Sequence, residues 1–478
     1  MKKSVNLNRT KTLFCIMAVI VLSGCASLNF DQSLAKANQD TADFTGGKLE
    51  LVQSQEQRSA QEKKAAQFLA QPLSQSDAVQ LALVNSPALQ AMLAQSWTEA
   101  ANAAQTGRIL NPTFTFERST LLDEVELGRR LTFGLLDLLT LPQRLGIAER
   151  GMARAQIQLT ANVVEQVTQV RQAWVKAVAA KQNLVYAQQV NAAAEVSADL
   201  ARRMQAVGNF TKLQRARQQA FYADAATQLA LAQHDATASR EALNRALGLT
   251  EAQSKQLRLP DRLPDLPKTP SSPEDVSKAA NAGRLDIKLA QSALESAAKA
   301  QGLTLLTSVT DIELGIRSDT VIDNTHRTEN PRQGYEISMK LPIFDFGGLR
   351  RDAMNAQTRA LANRLEATVR SAGSNLRESY SAYRTAHDIA RHYRDEVVPL
   401  RKTISEENVL RYNGMIIGVF ELLADSKDQI SSVMAAISAE QQFWLADAAL
   451  KASQMGKPTL TTVGSTGATV GGASDAGH

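Results

Sequence analysis

The run Leu22-Ser23-Gly24-Cys25 holds the most specific covalent chemistry that the chain offers. A basic start (Lys2, Lys3, Arg9, Lys11) leads into the apolar stretch 13–22 and then small residues, the plan of a secretory signal and too short for a spanning helix. A cysteine directly after Leu-Ser-Gly is the pattern at which bacterial lipoproteins are cut and acylated. A thiol is needed there because its sulfur carries the lipid, so Cys25 is the expected lipid attachment, with palmitate among its acyl chains. Ala26 and Ser27 follow where an aspartate would favour retention at the inner membrane, so the outer membrane is expected. The plainer alternative is an ordinary signal peptide with a chance cysteine. Cys15 leaves with the signal, and the single cysteine that remains makes no internal disulfide.

Other chemistry is scarce. Of five histidines, His387 and His392 share a helical stretch, but a five-residue step turns them to different faces. Neither has cysteine or acidic partners at ligand spacing, so no metal site is expected. No Cys–His or Ser–His–Asp set can be nominated, and Gly347-Gly348 lacks the lysine and hydroxyl of a phosphate loop. The ten methionines are scattered as packing residues. Neither an enzyme nor a cofactor is expected. The formal charge of +5 falls to about +1 once the signal is gone, which leaves no basic face for nucleic acid.

The elements that would carry a different kind of function are duplicated. After the signal (1–24) and a polar, Gln-rich segment (25–75) expected to lie along the outside, residues 76–249 are echoed by 273–453. Each half reads as helix, two short strands, very long helix, shorter helix. The first half has helix over 76–107, strands over 113–117 and 125–133, helix over 145–206, a turn at Gly208-Asn209 and a helix ending near Gly248. The second has helix over 273–301, strands over 311–317 and 335–341, a helix reaching about Tyr412 through Pro399, which should bend it, and a last helix to 453. Arg144 aligns with Arg350 and Gly208 with Gly414 at one offset. Leu89 aligns with Ile287 at a shorter one, which puts the insertion in the inter-strand loop 318–334. Four prolines (Pro260, Pro264, Pro267 and Pro270), with Pro273 just after them, stiffen a crossing over 250–272, and 454–478 reads as a disordered tail.

A helix of about 60 residues is roughly 90 Å long, and the two shorter helices of each half could stack beside it. Val163, Val167, Val170 and Trp174 keep steps of three and four, as do Leu361, Leu365, Val369, Ala372, Leu376, Tyr380 and Tyr383. Both series read as packing seams. Strand alternation puts Phe114, Phe116, Leu127, Leu131, Ile312, Leu314, Ile316, Tyr335, Ile337 and Met339 on one face. Thr113, Thr115, Glu117, Glu126, Arg130, Asp311, Glu313, Glu336, Ser338 and Lys340 take the other, and Arg129 stands out on the apolar side. Apolar outside and charged inside is the pattern of a transmembrane β-barrel wall. Four strands cannot close such a barrel and lipid forbids open edges, so several copies must share one. The competing reading is a soluble four-stranded sheet with one wet face.

The tandem halves, Asn111-Pro112 entering a strand, Phe344-Asp345-Phe346-Gly347-Gly348 leaving one, and the stretch from Val398-Pro399-Leu400 through Arg411-Tyr412-Asn413-Gly414 to Val419-Phe420-Glu421-Leu422-Leu423-Ala424 together resemble the TolC-like outer-membrane efflux proteins. The resemblance covers nearly the whole mature chain. It implies a mainly α fold with a small transmembrane β part, the tandem-repeat long helices forming a trimeric α-barrel continued by a 12-stranded β-barrel with four strands per chain. It implies a homotrimeric exit duct of a tripartite efflux system in the outer membrane, in contact with its lipid. Its partners would be a periplasmic adaptor (membrane fusion) protein and an inner-membrane transporter of the proton-driven kind. Family members often carry acids at the periplasmic entrance; here those places hold Phe420 and Leu423, with Glu421 and Asp425 close by as substitutes. Lys212, Arg215 and Arg217 at the equivalent turn of the first half could pair with them, and the turns at Gly208 and Gly414 would meet the adaptor. A poreless lipid-anchored coiled-coil scaffold or adaptor is the alternative. The cargo is not written in these residues.

Overall fold

The computed structural model describes residues 29–459 apart from 123, 282, 324, 325 and 327, so Cys25 and the end of the tail lie outside the described residues. The polar stretch ahead of the first repeat is more structured than its composition suggests. It forms α1 (Phe30–Thr45) and α2 (Gln55–Leu69), the latter opened by a capping box between Ser54 and Gln57. Asn38 holds the chain between them by two bonds to Leu49, accepting from its N–H at 2.7 Å and donating to its carbonyl at 3.1 Å.

The helix expected over 76–107 is two helices, α3 (Gln75–Asn85) and α4 (Pro87–Gln105). A proline excludes the helical conformation for its predecessor, so Ser86 is extended and Pro87 restarts the helix where no N–H is required. Asn85 Nδ2 donates to the carbonyls of Leu247 and Gly248 at 3.2 and 3.0 Å, tying this corner to a distant helix end. The second half breaks at the matching place, into α9 (Pro273–Asn281) and α10 (Leu285–Val309), with Gly283 at φ +115° between them.

Four strands follow the plan of a meander: β1 (Thr113–Leu121), β2 (Glu124–Gly134), β3 (Ile312–Asp323) and β4 (Thr328–Met339), antiparallel in the order β1-β2-β3-β4. The β2–β3 pair joins the two halves of the chain, and β1 and β4 are left as edges. The strands run further than alternation alone indicates. Much of the insertion assigned to a loop over 318–334 lengthens β3 and β4, which have 12 residues each against 9 and 11 in β1 and β2.

The short α5 (Leu135–Leu139) leads from β2 into α6 (Leu141–Ala206), which is unbroken for 66 residues, and α7 (Lys212–Leu247) returns. After the short α8 (Glu251–Gln256) the proline crossing is extended and buries Leu257, Leu259, Leu263 and Leu266. In the second half α11 (Gly348–His392) passes through one π turn, Tyr393–Val397, into α12 (Val398–Asn413), and α13 (Val419–Gln454) closes the chain. Pro399 has no N–H for the carbonyl of Asp395 and its ring would collide with it. One wider turn absorbs the misfit and the helix continues, as expected of a bend rather than a stop.

Contacts divide the described chain into two units. The first, residues 29–35, 94–159 and 286–370, contains the sheet and the helical segments leading to and from it. The second, residues 36–93, 160–285 and 371–459, holds the larger core. There Val163, Val167, Val170 and Trp174 are buried as the seam predicts, and the Trp174 indole donates to the Leu73 carbonyl at 2.8 Å. Tyr383, His387, Phe443, Ala446 and Leu450 form its counterpart from the second half, where alanines let helices approach closely. The lower part of the other predicted seam is open in the single chain: Val369 is exposed and Leu361 and Leu365 only half-buried.

Candidate pore wall and entrance

The register decides which strand residues share a face. Row by row across β1–β4, the apolar side carries Phe114, Leu131, Ile316 and Tyr335; then Phe133, Leu314 and Ile337; then Ile312 and Met339 nearest the helices. Every residue expected on this face is there. Within the chain nothing covers its large members: Tyr335 is 83% and Ile337 61% exposed. A sequence-level reading missed how far this surface extends, because Leu110, Leu139, Ile343, Phe344 and Phe346 in the strand-to-helix connections are exposed as well.

The opposite face is polar, as expected, and the charges at its centre are paired. Arg130 meets Glu336 at 3.3 Å, and Arg317 bridges Asp319 at 2.5 Å and Glu126 at 3.4 Å. Gly128 at the centre of β2 and Gly315 near the start of β3 lie on this face. A Cβ at Gly128 would stand 3.4 Å from Asp319 Oδ1, so the missing side chain makes room for the network. Charges satisfied against one another along a wall suit a water-filled lumen, where neither ion is fully desolvated. No helix among the described residues is long and apolar enough to cross a membrane.

The other candidate region is the pair of turns in the second unit. Between α6 and α7, Gly208 takes φ +81°, and Asn209 N–H reaches back to the Met204 carbonyl at 2.9 Å. The matching turn between α12 and α13 is displaced by one residue. Gly414 has an ordinary φ of −78°, and Met415 takes the left-handed position at φ +58°, with Ile416 N–H on the Arg411 carbonyl. Alignment of Gly208 with Gly414 therefore holds for the sequence and not for the turn geometry. Phe210 and Phe420 stack at 4.6 Å between centroids and fasten the two turns together.

Glu421 stands exposed in the first turn of α13, where the helix dipole favours an acid. Asp425, one turn on, is half-buried with Oδ2 unpartnered. Lys212, Arg215 and Arg217 are exposed on the opening turns of α7, and Arg215 bonds Gln205 at 2.8 Å. Among the described residues of one chain, no ion pair joins these three cations to Glu421 or Asp425. Two positive charges in the first turn of α7 oppose the dipole at a cost of about 0.3–1 kcal/mol each, so helix stability does not account for them. No cluster of histidine, cysteine and acids able to hold a metal occurs among the described residues.

No protein-family model matches the chain, and no curated protein does. Solved structures do. The CmeC outer membrane channel of Campylobacter jejuni superposes with a TM-score of 0.66 at 14% identity, covering 83% of this chain and 86% of that one. The open state of the MtrE outer membrane channel of Neisseria gonorrhoeae gives 0.62 at 18%, covering 80% and 89%. A membrane protein from Pseudomonas aeruginosa gives 0.63 at 18%, covering 78% and 91%. Identities this low speak for the fold. This chain has the fold of the TolC-like outer-membrane channels.

Proposed function

We propose that the protein is the exit duct of a tripartite efflux system in the outer membrane. The observation that carries this reading is the meander whose apolar face is bare, whose opposite face is charged and paired at its centre, and whose two edge strands lack neighbours. Three copies pairing β4 of one with β1 of the next would close a twelve-stranded barrel and remove every open edge from lipid. The half-open seam of α11 would be covered in the same assembly. Cys25 would carry the lipid anchor and the long helices would extend into the periplasm.

A periplasmic adaptor and a proton-driven inner-membrane transporter would complete the machine, and the transporter would select the cargo. The turns at Gly208 and Gly414 are the surfaces offered to the adaptor, with Val207, Met415 and Ile416 as exposed apolar knobs. Glu421 and Asp425, tripled by symmetry, would ring the entrance, and Lys212, Arg215 and Arg217 would face them across chain boundaries. Electron microscopy of protein purified from outer membranes in mild detergent tests the assembly. A threefold cylinder with a barrel cap and a helical tunnel is expected, and a solid monomeric rod would overturn the reading. At the entrance, Glu421→Ala with Asp425→Ala should raise single-channel conductance and weaken its block by divalent cations. Unchanged conductance and block would remove these acids from the gate.

A further inference from the structure

Two arginines break the pattern of the apolar face. The register places Arg129 opposite Phe116, and Arg118, in the part of β1 beyond the sequence-predicted strand, opposite Leu127. Both therefore share the face that carries Phe114 and Tyr335, both are exposed, and neither has an acidic partner among the described residues. Arg130 and Arg317 on the other face are paired, and Arg332, unpaired among the described residues, also stands on that polar side, so Arg118 and Arg129 are the arginines set among the apolar side chains. Arg118 and Arg129 are diagonal neighbours on adjacent strands, with Cβ atoms about 7 Å apart, close enough for both guanidinium groups to reach one phosphate. The outward acid, Glu329, lies on β4 at the far edge of the sheet.

Their height is informative. The three apolar rows nearest the helices are two residues apart and span about 14 Å of strand, short of the ~25 Å belt of outer-membrane barrels. The next rows out mix charged and apolar side chains, Arg129 opposite Phe116 and Arg118 opposite Leu127, and the last row sets Thr120 and Glu329 beside Val125 and Ile322, the mixture suited to the distal boundary of the belt. At mid-membrane each arginine would cost about 2–4 kcal/mol, whereas at the interface the cost falls towards zero and an anionic headgroup makes the charge useful. We propose that Arg118 and Arg129 form a site for the phosphate of an outer-leaflet lipid headgroup on the outside of the wall. The proposal rests on the barrel reading above.

The test reconstitutes the full chain in nanodiscs of phosphatidylcholine doped with diphosphorylated lipid A, or with the same lipid after phosphatase treatment. Native mass spectrometry then counts lipid retained per trimer. The unaltered protein should keep the phosphorylated lipid several-fold better than the dephosphorylated one. R118Q/R129Q should lose that preference, and the two single variants should each lose part of it should the double variant not assemble. R118K/R129K should keep a weaker preference, while R130Q and E329Q should keep it in full. Equal retention of the two lipids by the unaltered protein, an unchanged preference in the glutamine variants, or displacement by millimolar orthophosphate overturns this site alone, since such protein still inserts and conducts. A chain that enters neither bilayer sinks the barrel reading and this site with it.

Discussion

A carboxylate that sheds its water on burial resists ionisation, and Glu440 on α13 is in that position. Burial raises its pKa, Asp265 raises it further, and Arg394 and Arg262 pull it back. A carboxyl whose folded pKa exceeds its unfolded value holds its proton more tightly in the native state. Its support for the fold is therefore complete at low pH and is lost as pH rises from the unfolded pKa through the folded one. Glu440→Gln should unfold at a higher temperature than the unaltered protein at neutral pH, and the advantage should shrink below about pH 4, where the glutamate is itself neutral. A gap of the same size at both pH values would contradict the assignment. Met415 carries a different strain, since a non-glycine residue in the left-handed region costs on the order of 1 kcal/mol. Met415→Gly should stabilise by up to about that much in thermal unfolding, reduced by the greater freedom of glycine in the unfolded chain. A loss of stability would mean that the exposed methionine side chain makes contacts worth more than the strain.

Elements were legible where one periodicity governed them. Alternation placed each named residue of the sheet on its correct face, because a two-residue period leaves no intermediate choice. It stopped short at Arg118, Ser119 and Thr120 because the outward positions of β1 turn polar there, so the contrast between its faces fades while the strand goes on. The helix breaks were missed for another reason: Pro87 suits a first helical position and Ala-rich flanks read as helix on either side, so only the conformation of Ser86 reveals the corner. The Phe210–Phe420 stack had no sequence signal at all, since the two rings do not occupy matching positions of the repeat. The first corner offers a sharp check. Gly248 lies at φ +67°, and a Cβ there would sit 2.4 Å from Pro87 Cδ and 2.7 Å from Ser86 Cα, with backbone on one side and a rigid ring on the other. Gly248→Ala should cost about 2 kcal/mol or more through combined strain and clash. Gly146, with open space around its Cβ position in a helix interior, should instead gain about 0.5–1 kcal/mol on change to alanine. Equal effects at the two sites, read by chemical unfolding, would undo the account of the corner.

At the scale of the whole molecule the single chain is unfinished. It leaves two sheet edges unpaired, one helix seam half covered, and an apolar face bare, and each deficit is of the kind that further copies and a lipid surround would remove. Ile337 and Ser338 turn that inference into a controlled comparison, for they are consecutive residues of β4 on opposite faces, both exposed in the lone chain. On a soluble sheet with solvent on both sides, lysine at either position would be tolerated within about 0.5 kcal/mol. Against lipid the two differ. Ile337→Lys would place a charge in the apolar belt at about 2–4 kcal/mol per copy, and a cyclic assembly repeats that penalty at every copy. Ser338→Lys would face the water-filled side, beside Glu313 and Glu336, and change only the charge of the wall. Ile337→Lys should therefore fall out of the urea-resistant membrane fraction and fail to form trimers, also in a Cys25→Ser background where no lipid anchor can hold it. Ser338→Lys should insert, assemble and shift the ion preference of the pore towards anions. Two variants that behave alike would mean that the face carrying Tyr335 never meets lipid, and the bare apolar surface would then have to be explained by a protein partner.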